Sequence, residues 1–183
     1  MNRKGFSLIE TVLYIGLLAI LLPSFVMVTL GFVQKSEVVD PKIRMEEKVA
    51  VIFSQLQYEL TGAESIDLTG SSLGIDDSSF VFVDREGVTV TVERTADAVS
   101  FLEGDQFVNR LTWGTVAGSE WMTDADMDAE VWNVAIVRDG GGVLTGVNVL
   151  LTLRGLNPDG SPYRDIEFTA DTTISLQAFT TEL

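Results

Sequence analysis

Thr11–Gln34, TVLYIGLLAILLPSFVMVTLGFVQ, decides how this chain reads: 24 residues between Glu10 and Lys35 carry no formal charge. As a helix the stretch would run about 36 Å, against a hydrocarbon core of about 30 Å. It has no polar face to offer water, so it does not suit an amphipathic core helix, and a membrane-spanning or membrane-inserted helix is expected. A cleaved secretory signal fits less well, since the apolar run is too long and no small-x-small site follows it. The charges ahead of the run are Arg3 and Lys4, which by the positive-inside rule keep the N-terminus cytoplasmic. Residues 35–183, with ten basic and 26 acidic side chains, are then expected outside the cytoplasmic membrane as a soluble part of net charge −16.

Working outward from the run, two residues need a physical reason. Pro23 lacks an N–H and crowds the preceding turn, so a kink or local loosening is expected there, although membrane helices do tolerate proline. Glu10 heads the apolar segment, where a carboxylate must snorkel, protonate or find a cation. Its neighbours read Lys4-Gly5-Phe6-Ser7-Leu8-Ile9-Glu10, KGFSLIE. This resembles the N-terminal signature of type IV prepilins and type II secretion pseudopilins: a short basic leader ending in Gly, then a Glu five residues into the mature chain, then a long apolar helix.

The resemblance implies a leader over residues 1–5 with its positive charge on Arg3 and Lys4. It also implies cleavage of the Gly5–Phe6 bond by a prepilin peptidase and methylation of the new N-terminus at Phe6. A Gly before the cut lets a peptidase reach the backbone unobstructed. The freed α-amino group lies four residues from Glu10, which can neutralise it within one helix or, as the family is thought to do, in an adjacent subunit. Such a pair sets the register between otherwise apolar helices. Pro23 and Gly31 become the places where the helix bends or melts during packing.

Beyond Asp40-Pro41, where a short break or helix restart is permitted, Val49, Ile52, Phe53, Leu56, Leu60 and Ala63 recur at three- and four-residue steps. Lys48, Ser54, Gln55, Gln57 and Glu59 fill the opposite face, so an amphipathic helix ending near Gly62 is predicted. The period then drops to two. Phe80–Val83 and Val88–Val92 flank a hairpin signal at Asp84-Arg85-Glu86-Gly87. Residues 98–103 and 106–113 flank Gly104-Asp105, residues 131–138 and 143–154 surround Gly140-Gly141-Gly142, and Asn157-Pro158-Asp159-Gly160 precedes 164–169 and 172–179. Six to eight short, mostly antiparallel strands are expected, giving an α+β fold with one long helix laid against antiparallel sheet. The divisions are leader 1–5, transmembrane or filament-core helix 6–34, amphipathic second half 35–63 and β-rich exported domain 64–183. The resemblance implies a pilin-like version of this fold, and the order of the pieces is similar to the minor, β-rich subunits.

Composition excludes a good deal. With His 0 and Cys 0, catalysis by Ser-His-Asp or Cys-His, His- or Cys-ligated metals and disulfides are all ruled out. A net charge of −15 argues against direct nucleic-acid binding. The sheet must therefore be held by packing or by something else, and a metal is one option. Asp124, Asp126, Asp128 and Glu130 stand at alternate positions, a hard-oxygen set that suits Ca²⁺. Ala129 occupies the place of the EF-hand glycine, however, and a solvated acidic loop joining two halves of the sheet is the other reading. No other cofactor is called for. Gly140-Gly141-Gly142 lacks the Lys-Ser/Thr of a phosphate loop, no carboxylate pair stands out as catalytic, and Trp113, Trp121 and Trp132 read as core or as an exposed aromatic surface.

A structural role is therefore expected rather than an enzyme. The resemblance implies a subunit, cleaved and methylated, of a pilus or pseudopilus, whose partners are the prepilin peptidase, other pilin subunits, an inner-membrane assembly platform and the membrane itself. The alternatives are a tip-located adhesive or ligand-binding subunit, and a single-pass anchored domain that never assembles.

Overall fold

The computed structural model describes residues 8–176 and, apart from 31–40 and 163–165, their side chains. Arg3, Lys4, Gly5 and Phe6 thus lie outside the described residues. The first element, α1, spans Leu8–Gly62. By internal contacts the chain divides into two units, the second beginning at Pro41.

In the first unit, Leu8–Leu30 forms 23 residues of apolar helix, long enough to cross a membrane, with none of its most apolar window buried. Its polar side chains are satisfied locally: the Ser24 hydroxyl donates to the Ile20 carbonyl at 3.0 Å and the Thr29 hydroxyl to Phe25 at 2.8 Å. Pro23 does not end the helix. The helical assignment also continues through Asp40-Pro41, where a break was permitted, and stops at Gly62 as the periodicity predicts.

The second unit opens with the rest of α1 and continues into eight strands. These are β1 (Ser65–Ile66), β2 (Ser79–Val83), β3 (Thr89–Phe101), β4 (Gly104–Thr115), β5 (Gly118–Trp121), β6 (Met127–Arg138), β7 (Leu144–Leu156) and β8 (Pro162–Ser175). They form two sheets, β1-β2-β3-β4-β5 and β6-β7-β8. Within each sheet every strand pairs with its neighbour in sequence, and every such pairing is antiparallel. The expected α+β class is what the structure has, with five strands of 12 to 14 residues instead of uniformly short ones.

One stripe of α1, Met45, Val49, Ile52, Leu56 and Leu60, is at most 3% exposed. It belongs to a single core with Phe80, Phe82, Val90, Val92, Leu111 and Trp113 of the first sheet and Trp132, Val134, Val149 and Leu151 of the second. Phe82 meets Trp113 edge-on at 5.6 Å, a favourable aromatic geometry.

The turns account for part of the acidic charge. Asp84 Oδ1 accepts the N–H groups of Glu86 and Val88, and Asp139 Oδ1 those of Gly141 and Val143, in the same two-and-four spacing. Each caps a hairpin whose glycine, Gly87 or Gly142, takes a positive φ. The β3–β4 turn departs from expectation. Phe101 pairs with Gly104, so the turn residues are Leu102-Glu103, and Gly104 uses its positive φ of 120° to re-enter the ladder. Residues 164–169 and 172–179, expected as two strands, are one strand as far as Ser175; residues 177–179 lie outside the described residues.

Candidate functional site

Glu10 sits in the first turn of α1 and is exposed, as are the apolar residues that follow it. The exposure of Leu13, Leu17, Ile20 and Phe25, from 60% to 72%, presents an apolar surface all round the helix. Water does not stabilise such a surface; lipid or other apolar helices do.

The four alternating carboxylates are not brought together. Asp124 pairs with Lys48 at 2.8 Å and Asp126 with Arg44 at 3.0 Å, both cations belonging to α1. Asp128 Oδ1 accepts the Asn109 N–H at 2.9 Å, and Glu130 pairs with Arg154. Among the described residues no group of three or more acidic side chains is placed to hold a metal. The segment from Asp124 to Glu130 instead distributes its charge to the helix, to β4 and to β7.

Two arginines that the sequence does not single out join the pieces. Arg94 of β3 donates to Asp77 at 2.9 Å and to the carbonyls of Ala129 and Glu130, where β6 is irregular, so it links one sheet to the other. Arg110 of β4 donates to Asp97 at 2.8 Å and to the Thr123 carbonyl, and its guanidinium lies 4.4 Å from the Trp121 ring centre. The three tryptophans divide accordingly: Trp113 and Trp132 are core, whereas Trp121 is part-exposed beneath Arg110. These contacts tie β3 to β6 and β4 to the segment that follows β5. Clustered carboxylates facing isolated cations are the one sequence signal for them, and it does not say which pairs with which.

No protein-family model matches the chain, and no curated protein and no solved structure matches it.

Proposed function

We propose that this chain is a prepilin-type subunit: processed at Gly5–Phe6, methylated at Phe6, and assembled through its N-terminal helix into a pilus or pseudopilus. One observation carries the reading, namely that Glu10 stands five residues beyond Gly5 at the head of an apolar helix that buries none of itself within the chain. Before assembly the helix anchors the protein in the cytoplasmic membrane, with Arg3 and Lys4 inside and the acidic β-domain outside. In the assembled form the same surface would be covered by neighbouring helices, with Glu10 meeting the α-amino group of an adjacent Phe6. The partners are then the peptidase, sister subunits and the membrane assembly platform, and the role is structural.

Intact mass and N-terminal sequencing of the protein from its own cells test this directly. A chain beginning at N-methylated Phe6 is expected; one that keeps Met1–Gly5 in peptidase-competent cells overturns the proposal. Glu10→Val should leave processing and membrane insertion intact while abolishing assembly. A variant that assembles normally would return Glu10 to an ordinary headgroup residue.

A further inference from the structure

The chain contains two Asp-Gly pairs, Asp139-Gly140 and Asp159-Gly160. In such a pair the backbone nitrogen after the aspartate can attack the side-chain carboxyl, because glycine has no Cβ to obstruct the approach. The reaction needs a nitrogen free to move, a carboxyl that can take up a proton, and water. The fold treats the two pairs differently in all three respects.

Asp159-Gly160 is held from several sides. The Gly160 N–H donates to the Asn157 carbonyl at 2.8 Å, while Asp159 Oδ1 accepts the Ser161 N–H at 2.8 Å and the Ser161 hydroxyl at 2.6 Å. Gln106 Nε2 donates to the Asp159 carbonyl at 2.9 Å, and its amide group packs so closely on Gly160 that a Cβ there would lie 2.6 Å from it. Gly160 is buried. The Ser161 hydroxyl and amide also hold the Asp159 carboxyl below its ordinary range, which depletes the protonated form.

Asp139-Gly140 stands at the open end of the β6–β7 hairpin. Asp139 Oδ1 accepts the N–H groups of Gly141 and Val143, each at 2.9 Å, but the Gly140 N–H has no hydrogen-bond partner among the described residues. Asp139, Gly140 and Gly141 are exposed, and nothing lies within 4 Å of a Cβ placed at Gly140. Asp84 caps its hairpin in the same way, yet Arg85 follows it, so the cap is shared and the unhindered nitrogen is not.

We infer that the fold directs spontaneous isomerisation to isoaspartate to Asp139 and shields Asp159 from it. The Gly140 nitrogen forms a bond to Asp139 Cγ, and the hydroxyl of the protonated carboxyl leaves with the amide proton as water, closing a succinimide ring. Water then adds to the ring. Addition at Cγ breaks the new bond and restores aspartate. Addition at the Asp139 backbone carbonyl carbon breaks its bond to the Gly140 nitrogen, so that the chain runs through Cβ and Cγ and the α-carboxylate is left free. One water leaves and one enters, and no other reactant is needed. The product lacks both the Oδ1 cap and the carbonyl that accepts the Gly142 N–H at 3.0 Å, so the end of the β6–β7 hairpin loosens as the protein ages.

The full chain in detergent micelles would be aged at near-neutral pH in heavy-oxygen water, digested and mapped by electron-transfer mass spectrometry, beside a sample aged in urea. In the folded chain isoaspartate and heavy oxygen are expected to accumulate at Asp139 at least several-fold faster than at Asp159, and not at Asp84. In urea the rates at 139 and 159 should converge, since the dipeptide is the same. Gly140→Ala, whose methyl hinders the attack and meets nothing in the fold, should slow position 139 several-fold and leave 159 unchanged. A folded chain in which Asp159 reacts as fast as Asp139 overturns the inference. So does a preference for 139 that persists undiminished in urea, or a Gly140→Ala chain that reacts at 139 as before.

Discussion

Arg94 shows how a single side chain can add a polar tie between two sheets that already share one core. Its side chain is 20% exposed, and its guanidinium serves Asp77 and two β6 carbonyls at once. Removing it leaves those acceptors facing one another across the seam. Arg94→Met should cost about 2 kcal/mol, on the scale of hydrogen bonds to a charged donor, as read by urea unfolding. Arg94→Lys should recover only part of this, because one ammonium cannot reproduce the fork. Two other residues set an acid limit on local structure. The Gly70 amide, followed by the Thr69 hydroxyl, holds the Asp67 carboxyl below its ordinary 3.8, and the Ser161 hydroxyl and amide do the same for Asp159. A lowered folded value means that the carboxylate helps the fold above 3.8 and that this help fades as pH falls through the lowered value. In a carbon-detected NMR titration, Asp67 and Asp159 should therefore still be ionised at pH 3.8, with the 67–70 and 157–161 turns loosening only below it. Midpoints at 3.8 or above would refute the turn-capping account.

At the level of elements, β7 and β8 approach so closely at Gly146 that a Cβ there would lie 2.9 Å from the Ile174 carbonyl oxygen. Backbone cannot yield as a side-chain tip does, so Gly146→Ala should destabilise by about 1–3 kcal/mol. Gly140→Ala, with nothing within 4 Å of its Cβ, should change thermal stability little. Equal effects would mean that β8 is not held where its register with β7 places it. Much at this scale is legible in the sequence. The switch from three-and-four spacing to alternation after Gly62 gives the helix boundary, and Asp-x-x-Gly-Val at 84–88 and 139–143 gives two hairpins with their mechanism. The β3–β4 turn is misread because Gly104-Asp105 looks like a turn centre, whereas the glycine serves the residue after the turn. The division into two sheets is not legible, since nothing local says that β5 and β6, alone among successive strands, do not pair. Of the candidate site residues, Glu10 and Pro23 lie on α1. The alternating carboxylates show only that charge is concentrated there, not that Arg44, Lys48 and Arg154 lie opposite.

For the whole molecule, the division at Pro41 carries a direct expectation. The buried stripe from Met45 to Leu60 belongs to the second unit, together with every strand of both sheets. A chain of residues 41–183 should therefore fold on its own into a soluble monomer, checked by sedimentation and by a sharp thermal transition. Aggregation or a broad transition would show that the apolar span contributes to the core. The Lys48–Asp124 and Arg44–Asp126 pairs lie near the surface and contribute about 0.2–1 kcal/mol each, a small loss on screening set against the relief of self-repulsion in so acidic a unit. The pairing of strands with sequence neighbours within each sheet also bears on how the protein is made. A polypeptide that emerges N-terminus first on the outer side of the membrane can close β2 on β3, then β4, then β6 on β7, each as soon as its second strand is out, without waiting for a distant segment. Loop closure stays short throughout, which favours rapid formation and limits the time that a long unpaired strand is left open to association with other chains.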